Sequence, residues 1–306
     1  MFAIVWYRKE YYVYFCNMMQ IPIESMNLLL LNVGHARHNA DWNWKNVSSP
    51  FVRIFYVTSG EALLHMPEQT FTLRPGYMYF VPAYQVHSYE CHGLFDLYYM
   101  HMYEGVRNEM NVFEVYEMPT EVKVEGRQEM DTLFEYLCSE RPDAQLPQSD
   151  PTSYDTNSQT SDYAQRYRGM DLWEKMELRG AMLMILARFM RHAKPRVWTS
   201  DERMKRVLEH VHNHITDNID VEELANVACV TKPYLIRLFK REFGTSPIQY
   251  INKKKVERAG LLLFTTNLPV KEVAWQLGFS DDSYFIRLFR KQMNITPQEY
   301  RARVKS

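Results

Sequence analysis

Two stretches of this 306-residue chain place nearly the same side chains fifty positions apart: Tyr234-Leu-Ile-Arg-Leu-Phe-Lys240 and Tyr284-Phe-Ile-Arg-Leu-Phe-Arg290. Arginine carries a planar fork of donors that can pair bidentately with a guanine edge, and an exposed isoleucine can rest against a thymine methyl. Leu235, Leu238, Phe239 and Phe243 recur at i, i+3, i+4 and i+8, the period of a buried helical stripe, and Phe285, Leu288, Phe289 and Met293 repeat it. That leaves Lys232, Pro233, Ile236, Arg237 and Lys240 outward in one helix, and Asp282, Ser283, Ile286, Arg287 and Arg290 outward in the other. Side chains at the N-terminal end of such a face reach base edges in a major groove, while cations further along hold phosphates. One helix with basic residues outward is ordinarily only a solvated face. Two copies, each with Ile-Arg-Leu-Phe followed by a basic residue, point to double-stranded DNA.

Each helix must be presented by something, and the repeat supplies it. Val221-Glu-Glu-Leu-Ala225 answers to Val270-Lys-Glu-Val-Ala274 at an offset of 49, whereas Pro247 and Tyr250 pair with Pro297 and Tyr300 at 50. The one-residue slip falls in the turn, where insertions are tolerated best. Each unit reads as a short helix, a tight turn and a second helix, the helix-turn-helix layout. Thr231 and Ser280 are the expected N-caps, with backbone amides turned toward phosphates. Between the units, Ile248 to Phe264 is expected to form one helix carrying Lys253-Lys-Lys255 and Arg258. Such a rigid spacer could hold two reading heads at the roughly 34 Å between successive major grooves.

Composition agrees once the chain is divided. The net charge of −1 hides 18 Lys+Arg against 24 Asp+Glu in residues 1–200, net −6, and 18 against 13 in residues 201–306, net +5. A basic back half suits a polyanion and an acidic front half does not. The 46% apolar and 24% charged content is that of a globular protein long enough for two cores. Cys16, Cys91, Cys138 and Cys229 show no C-x-x-C spacing, which fits reduced thiols. The apolar run from Met1 to Tyr7 is broken by Arg8-Lys9-Glu10 before it reaches signal-peptide length, and no stretch has the length of a membrane span. A cytoplasmic location without membrane association is therefore expected. The natural start could be Met18, Met19 or Met26.

The front half reads as β structure. Phe51 to Thr58, Glu61 to Met66, Thr70 to Leu73, Tyr77 to Val81 and Phe95 to Tyr103 are short runs separated by turn residues such as Ser59-Gly60 and Pro75-Gly76. Short strands at this spacing predict a barrel or sandwich. Helices are expected over Arg127–Ser139 and Met170–His192, the latter apolar over most of its circumference between Ala181 and Met190. The expected fold is two-domain α+β. Residues 1–26 form an extension, 27–194 a β-barrel with following helices and a mobile loop over 141–163, 195–201 a linker, and 202–306 an all-α domain with two helix-turn-helix units joined by a linker helix.

The back half, from about Arg203 to Arg301, strongly resembles the AraC/XylS family of bacterial regulators. The most specific residues are Val270-x-Glu-Val-Ala-x-x-Leu-Gly-Phe279, Asp282-Ser-Tyr-Phe-x-Arg-x-Phe-Arg290 and Thr296-Pro-x-Glu-Tyr-Arg301. The resemblance implies base contacts from Pro233, Ile236 and Arg237, and from Asp282, Ser283, Ile286 and Arg287. It also implies a transcription activator, a homodimer and RNA polymerase as a partner. Two departures stand out: Ala228-Cys229 replaces the glycine that the second turn has at Gly278, and Ile236 and Ile286 occupy positions commonly small or polar in the family. Arg53, Tyr56, Gly60, Leu73-x-Pro-Gly76, Tyr79-Phe-Val-Pro82 and His87-Ser-Tyr89 resemble the cupin-like jelly roll that carries the sensor in many members.

Trp44, Arg53, Tyr56, Tyr79, His87 and Tyr89 are the candidates to bind a small-molecule, sugar-type effector, being aromatic or hydrogen-bonding groups within the β region. Aromatic side chains in a barrel also simply fill its core. Arg53 is the most informative, because a cation within an apolar strand must face solvent, an acid or an anionic ligand. The rival reading, a metal-dependent cupin enzyme with a helical adaptor, requires three or four converging ligands. His87, Cys91 and His92 are close, but Phe51 to Met66 contributes only His65 and no His-x-His pair. No nucleophile and base stand at a recognisable spacing, so no catalytic residue, metal or cofactor is assigned. A regulator that needs no effector remains a third possibility.

Overall fold

The computed structural model describes residues 23, 26–104, 111–146, 148, 150–151, 167, 169–196, 199 and 201–305. Most of the expected extension 1–26 and most of the expected mobile loop 141–163 lie outside these residues.

Eleven strands are found among the described residues: β1 (Leu28–Asn39), β2 (Trp44–Val47), β3 (Val52–Gly60), β4 (Ala62–His65), β5 (Thr70–Leu73), β6 (Tyr77–Val81), β7 (His87–Glu90), β8 (Leu94–Glu104), β9 (Tyr116–Glu117), β10 (Glu121–Lys123) and β11 (Lys194–Pro195). They build a five-stranded antiparallel sheet in the order β1-β8-β3-β6-β10, a four-stranded sheet β2-β7-β4-β5 and the short pair β11-β9. Central strand β3 is buried along most of its length. Phe55 and Val57 enter the core shared with the four-stranded sheet, while Ile54 and Tyr56 enter a second core with the helices. Burial on both faces accounts for the apolar run from Ile54 to Val57, where a half-buried strand would alternate.

The helices on that outer side are α1 (Val112–Val115), α2 (Arg127–Glu140) and α3 (Leu172–Met190). Phe134 of α2 stacks on Tyr56, and Leu178, Met182, Ile185 and Phe189 of α3 belong to the same core. The strand β1 and the four-residue helix α1 were not singled out in the sequence. Leu28-Leu-Leu-Leu31 has no alternation, and four residues are too few for a helical period to register.

The back half is helical: α4 (Glu202–Asn213), α5 (Val221–Val227), α6 (Lys232–Phe243), α7 (Pro247–Thr265), α8 (Val270–Gln276), α9 (Asp282–Met293) and α10 (Pro297–Lys305). One core lies among α4, α5, α6 and the start of α7, and another among α7, α8, α9 and Tyr300 of α10. Helix α7 therefore belongs to both. Its capping box, in which Ser246 and Gln249 reciprocally hold each other's backbone amides, fixes where it starts.

Candidate nucleic-acid interface

The two expected reading helices are α6 and α9, and their faces divide as the periodicity requires. Leu235, Leu238 and Phe239 are buried, as are Phe285 and Phe289. Lys232, Pro233, Arg237 and Lys240 are exposed, with Ile236 half-buried; Ser283, Ile286, Arg287 and Arg290 are exposed, with Asp282 half-buried. The helices end alike, on left-handed Gly244 (φ 68°) and Asn294 (φ 61°), residue types that adopt this conformation most readily.

The start of α9 differs from expectation. The N-cap of α9 is Asp281, whose carboxylate accepts from the amides of Ser283 at 2.7 Å and Tyr284 at 3.1 Å. Ser280 lies one residue too early. Thr231 does occupy the N-cap position of α6, but its side chain makes no capping hydrogen bond. A cap requires the side chain to fold back on the N2 or N3 amide, and the residue spacing alone leaves adjacent Ser280 and Asp281 equally eligible.

Tyr234 and Tyr284 also stand on the outward faces, 37% and 42% exposed, although the repeat shows them only as matched positions. The hydroxyl of Tyr284 accepts from Asn252 Nδ2 of α7 at 2.9 Å. The guanidinium groups of Arg203 and Arg237 both lie near the ring of Tyr234, at 5.6 and 5.9 Å from its centroid. Both tyrosines link a reading helix to a neighbouring element or side chain. The signal was their recurrence at an offset of 50 on the face opposite the apolar stripe.

The turns before the reading helices are left-handed at equivalent positions, Cys229 (φ 54°) and Gly278 (φ 69°). At Gly278 a β-carbon would lie 2.5 Å from the Thr216 carbonyl oxygen and 2.8 Å from the Asp217 carbonyl carbon. The loop between α4 and α5 therefore packs directly on the second turn. From the other side, buried Lys255 of α7 donates from Nζ to the Asp217 carbonyl at 2.7 Å, its ammonium 5.2 Å from the Phe279 ring. Burial pushes the Lys255 ammonium down to about 8, against the pull of Asp217. The Thr216–Asp217 backbone is thus contacted by both the linker helix and the second turn.

The linker cations thus have separate fates. Lys253 is exposed, Lys255 is internal, and Lys254 and Arg258 turn toward the β domain. The sequence shows three adjacent lysines, but successive residues on a helix point about 100° apart, so they cannot share one face.

Inside the β sandwich a cavity of about 160 Å³ is lined by His35, His38, Trp42, Phe55, Tyr99 and His101, among others. Burial lowers the affinity of His35 and His38 for protons. His101 is held far below the usual histidine range by burial and by the charges of Arg53 and His87. Neutral imidazoles both donate and accept hydrogen bonds.

None of the six residues expected to bind an effector is in that lining. Arg53 comes nearest: it is buried, and its Nη1 is 3.3 Å from His101 Nε2, with Ser49 Oγ accepting from Nη2. His87 Nε2 is 2.7 Å from the Tyr89 hydroxyl, and Tyr89 stacks on Trp42 at 4.0 Å. Tyr79 donates to the Thr72 carbonyl, and Tyr56 points to the helical side and donates to Asp131 at 2.6 Å. Trp44 is half-buried on β2. A strand pattern does not say which buried face meets a cavity, because both faces of β3 and β6 are covered. Among the described residues no three His, Cys, Asp or Glu side chains are placed to hold a metal ion. His65 and His92 both bond to Glu90 instead, at 2.9 and 2.7 Å.

Comparison with known proteins addresses both units. The AraC-like ligand binding domain matches residues 32–105, which span β1 to β8, and a helix-turn-helix domain matches residues 224–303, which contain both turns and both reading helices. The chain thus pairs an AraC-like ligand binding domain with a helix-turn-helix domain, in that order. Its relatives include the arabinose operon regulatory protein of Escherichia coli K12, 32% identical over 103 residues that are 33% of this chain and 35% of that protein. Another is the uncharacterized HTH-type transcriptional regulator YdeC of Bacillus subtilis 168, 34% identical over 99 residues, 32% of this chain and 34% of that protein. The chain thus spans about a third of the length of the curated relatives it matches. Among solved structures, the DNA-binding domain of AdpA in complex with a target DNA is 32% identical, with a TM-score of 0.32, over 34% of this chain and 92% of that one.

Two local features mark the two units. Cys229 holds the left-handed position that a glycine fills in its own second turn, and Ile236 and Ile286 put branched apolar groups on the reading faces. Among the described residues no helix is long and apolar enough to cross a membrane.

Proposed function

We propose that the chain is a sequence-specific DNA-binding transcription regulator, an activator governed by a small molecule held in its β sandwich. The observation that carries the reading is the pair of reading helices with matching outward residues, in two units joined by the Lys255–Asp217–Gly278 contact. Arg237 and Arg287 each read a base edge, Ile236 and Ile286 each rest on a thymine methyl, and Lys240 and Arg290 hold phosphates. The experiment is capture of fragmented genomic DNA by the purified chain, followed by sequencing. A few sharp peaks upstream of genes support the reading. Uniform capture that disappears with modest salt means either phosphate attraction alone or a missing effector, and makes the β sandwich the next thing to test.

The effector is a small polar organic molecule of the sugar type, in keeping with a cavity of about 160 Å³ that offers neutral imidazoles, Tyr99 and the Trp42 edge. It acts only through unequal affinity for two arrangements of the protein. RNA polymerase is the partner that an activator needs, and the cytoplasm is where both it and DNA are met.

The protein acts as a homodimer through α3. Trp173, Met176, Gly180, Met184 and Ala187 form an exposed stripe at spacings of three and four residues. Pairing two such helices antiparallel about Gly180 sets Trp173 against Ala187 and Met176 against Met184, large against small at the ends. The same pairing brings acidic Asp171 and Glu174 near Arg188 and Arg191 of the second copy. Met176→Glu should convert dimer to monomer in sedimentation; an unchanged mass would refute this interface.

A further inference from the structure

The two helix-turn-helix units repeat in packing as well as in sequence. The Tyr250 ring meets Phe239 edge-on, with centroids 5.6 Å apart at 65°, and Tyr300 meets Phe289 at 5.5 Å and 80°. Val256, Ala259 and Leu263 of α7 are buried at the same spacing as Met204, Val207 and Val211 of α4. The start of α7 therefore closes the first unit as α10 closes the second, and its later turns open the second unit as α4 opens the first. The contact between the units joins unlike parts, the loop before α5 and the turn before α9. A two-fold pair would join like parts, whereas a head-to-tail series joins unlike ones. Two equivalent docking poses in such a series repeat along a duplex in one direction.

The outward faces repeat in part. Positions 5, 6 and 9 of α6 are Ile236, Arg237 and Lys240, and those of α9 are Ile286, Arg287 and Arg290. The same isoleucine and the same arginine thus stand at the same height above each helix start. An isoleucine suits a thymine methyl and an arginine suits the O6 and N7 of guanine. Equal side chains at equal positions of equivalent units meet the same two neighbouring bases.

Position 1 is where the faces part, with Lys232 in α6 and Asp282 in α9. Each lies one turn before its isoleucine, on the same side of the helix. Lys232 is exposed, and its ammonium, 3.7 Å from Glu222 in a solvated pair, is a donor suited to guanine. Asp282 is an acceptor suited to the amino group of cytosine. The amides at the start of α9 are held by Asp281 rather than Asp282. Phosphates repel a carboxylate turned toward the groove, so Asp282 discriminates mainly by excluding bases that offer it no donor.

We propose that one chain reads a near-repeat: two subsites in the same direction that share a neighbouring thymine and guanine, read by Ile236–Arg237 and by Ile286–Arg287. They differ at the adjoining base, which is guanine opposite Lys232 and cytosine opposite Asp282. The proposal rests on the reading of α6 and α9 as DNA-reading helices and names the sequence they take. Their spacing is one turn of the duplex, about 10 bp. A shared core alone would let the chain bind displaced by one turn. Asp282 prevents this, because displacement sets its carboxylate against the guanine meant for Lys232.

The test is selection of duplexes by the full chain from a pool with a random core of about 20 bp, long enough for two grooves and too short for a second chain's pair. Wild type is compared with Asp282→Lys and with the reciprocal Lys232→Asp. Wild type should enrich the thymine and guanine twice, in one direction and about 10 bp apart, with unlike adjoining bases. Asp282→Lys should change the second adjoining base from cytosine to guanine, and Lys232→Asp the first from guanine to cytosine. Each switch should alter the preference at that base by about five- to hundredfold and leave the shared bases as they were. Subsites with unrelated cores, subsites in opposite directions, or adjoining bases unchanged in both variants would overturn the near-repeat. If neither wild type nor variants enrich any sequence, the DNA-reading assignment itself falls, a result distinct from failure of the near-repeat.

Discussion

The Nζ of Lys255 and the carbonyl of Asp217 lie 2.7 Å apart, and through this hydrogen bond the linker helix holds the loop that Gly278 packs against. The contact joins the linker helix, the loop before α5 and the turn before α9, and neither α6 nor α9 contributes a residue to it.

That lysine is buried, with its ammonium pushed down to about 8 from the ordinary 10.5. Between those values the unfolded chain binds more protons than the folded one, so stability rises with pH across the window. The slope from this group is at most about 1.4 kcal/mol per pH unit. Chemical denaturation of wild type and Lys255→Met between pH 7 and 10 should show this rise only in the wild type. Parallel profiles would mean that Lys255 titrates normally.

Cys229 and Gly278 hold the same left-handed backbone with different success. A side chain there costs roughly 1–2 kcal/mol, partly offset because glycine loses more freedom on folding. Cys229→Gly should therefore stabilise the chain, by up to about 1 kcal/mol. Gly278→Ala should destabilise it by more than about 2 kcal/mol, since the added carbon also meets the Thr216–Asp217 backbone. Thermal unfolding of the pair checks both signs.

The outward arginines give a prediction about sequence rather than stability. Arg237→Ala and Arg287→Ala should each weaken DNA binding by roughly 1–3 kcal/mol and relax base preference at one subsite only. Selection of binding sites from a random pool with each variant reads the preference directly. Normal affinity and an unchanged preference in both would remove α6 and α9 as the reading helices.

In the β sandwich, burial and the charge of Arg53 push His87 down to about 4 from 6.5. As pH falls through that window the unfolded chain takes up a proton that the folded chain refuses, so stability is lost from 6.5 toward 4. The loss from this group reaches about 3 kcal/mol. His87→Gln should lack this component when unfolding is followed from pH 7 to 4.5; an identical acid profile would count against it.

Much of the back half was legible because local periodicity and function coincide there. Leu235, Leu238 and Phe239 must be buried for α6 to pack, and the same spacing forces Arg237 outward. The repeat then doubled every inference. The strands from β3 to β6 were legible as well, punctuated by Ser59-Gly60 and Pro75-Gly76. The effector candidates were not, because an aromatic residue in a strand buried on both faces carries no mark of which face meets a cavity. Tyr56 and Phe55 are adjacent and equally apolar in setting, yet only Phe55 lines the space. Neither could the cap be chosen between Ser280 and Asp281, since both side chains carry an acceptor within one residue of the helix start.

The sequence by itself determined the order of a β half and a helical half, the repeated helix-turn-helix units and which residues of α6 and α9 face outward. These follow from the short-range periods of 2 and 3.6 residues, which any contiguous stretch records. Only the tertiary structure decided that Lys255 turns inward to Asp217, that Glu114 meets Lys254 across 140 residues, and that His35, His38 and His101 share one cavity. Contacts between residues so far apart depend on how whole elements pack, and packing is a property of surfaces that no local pattern specifies.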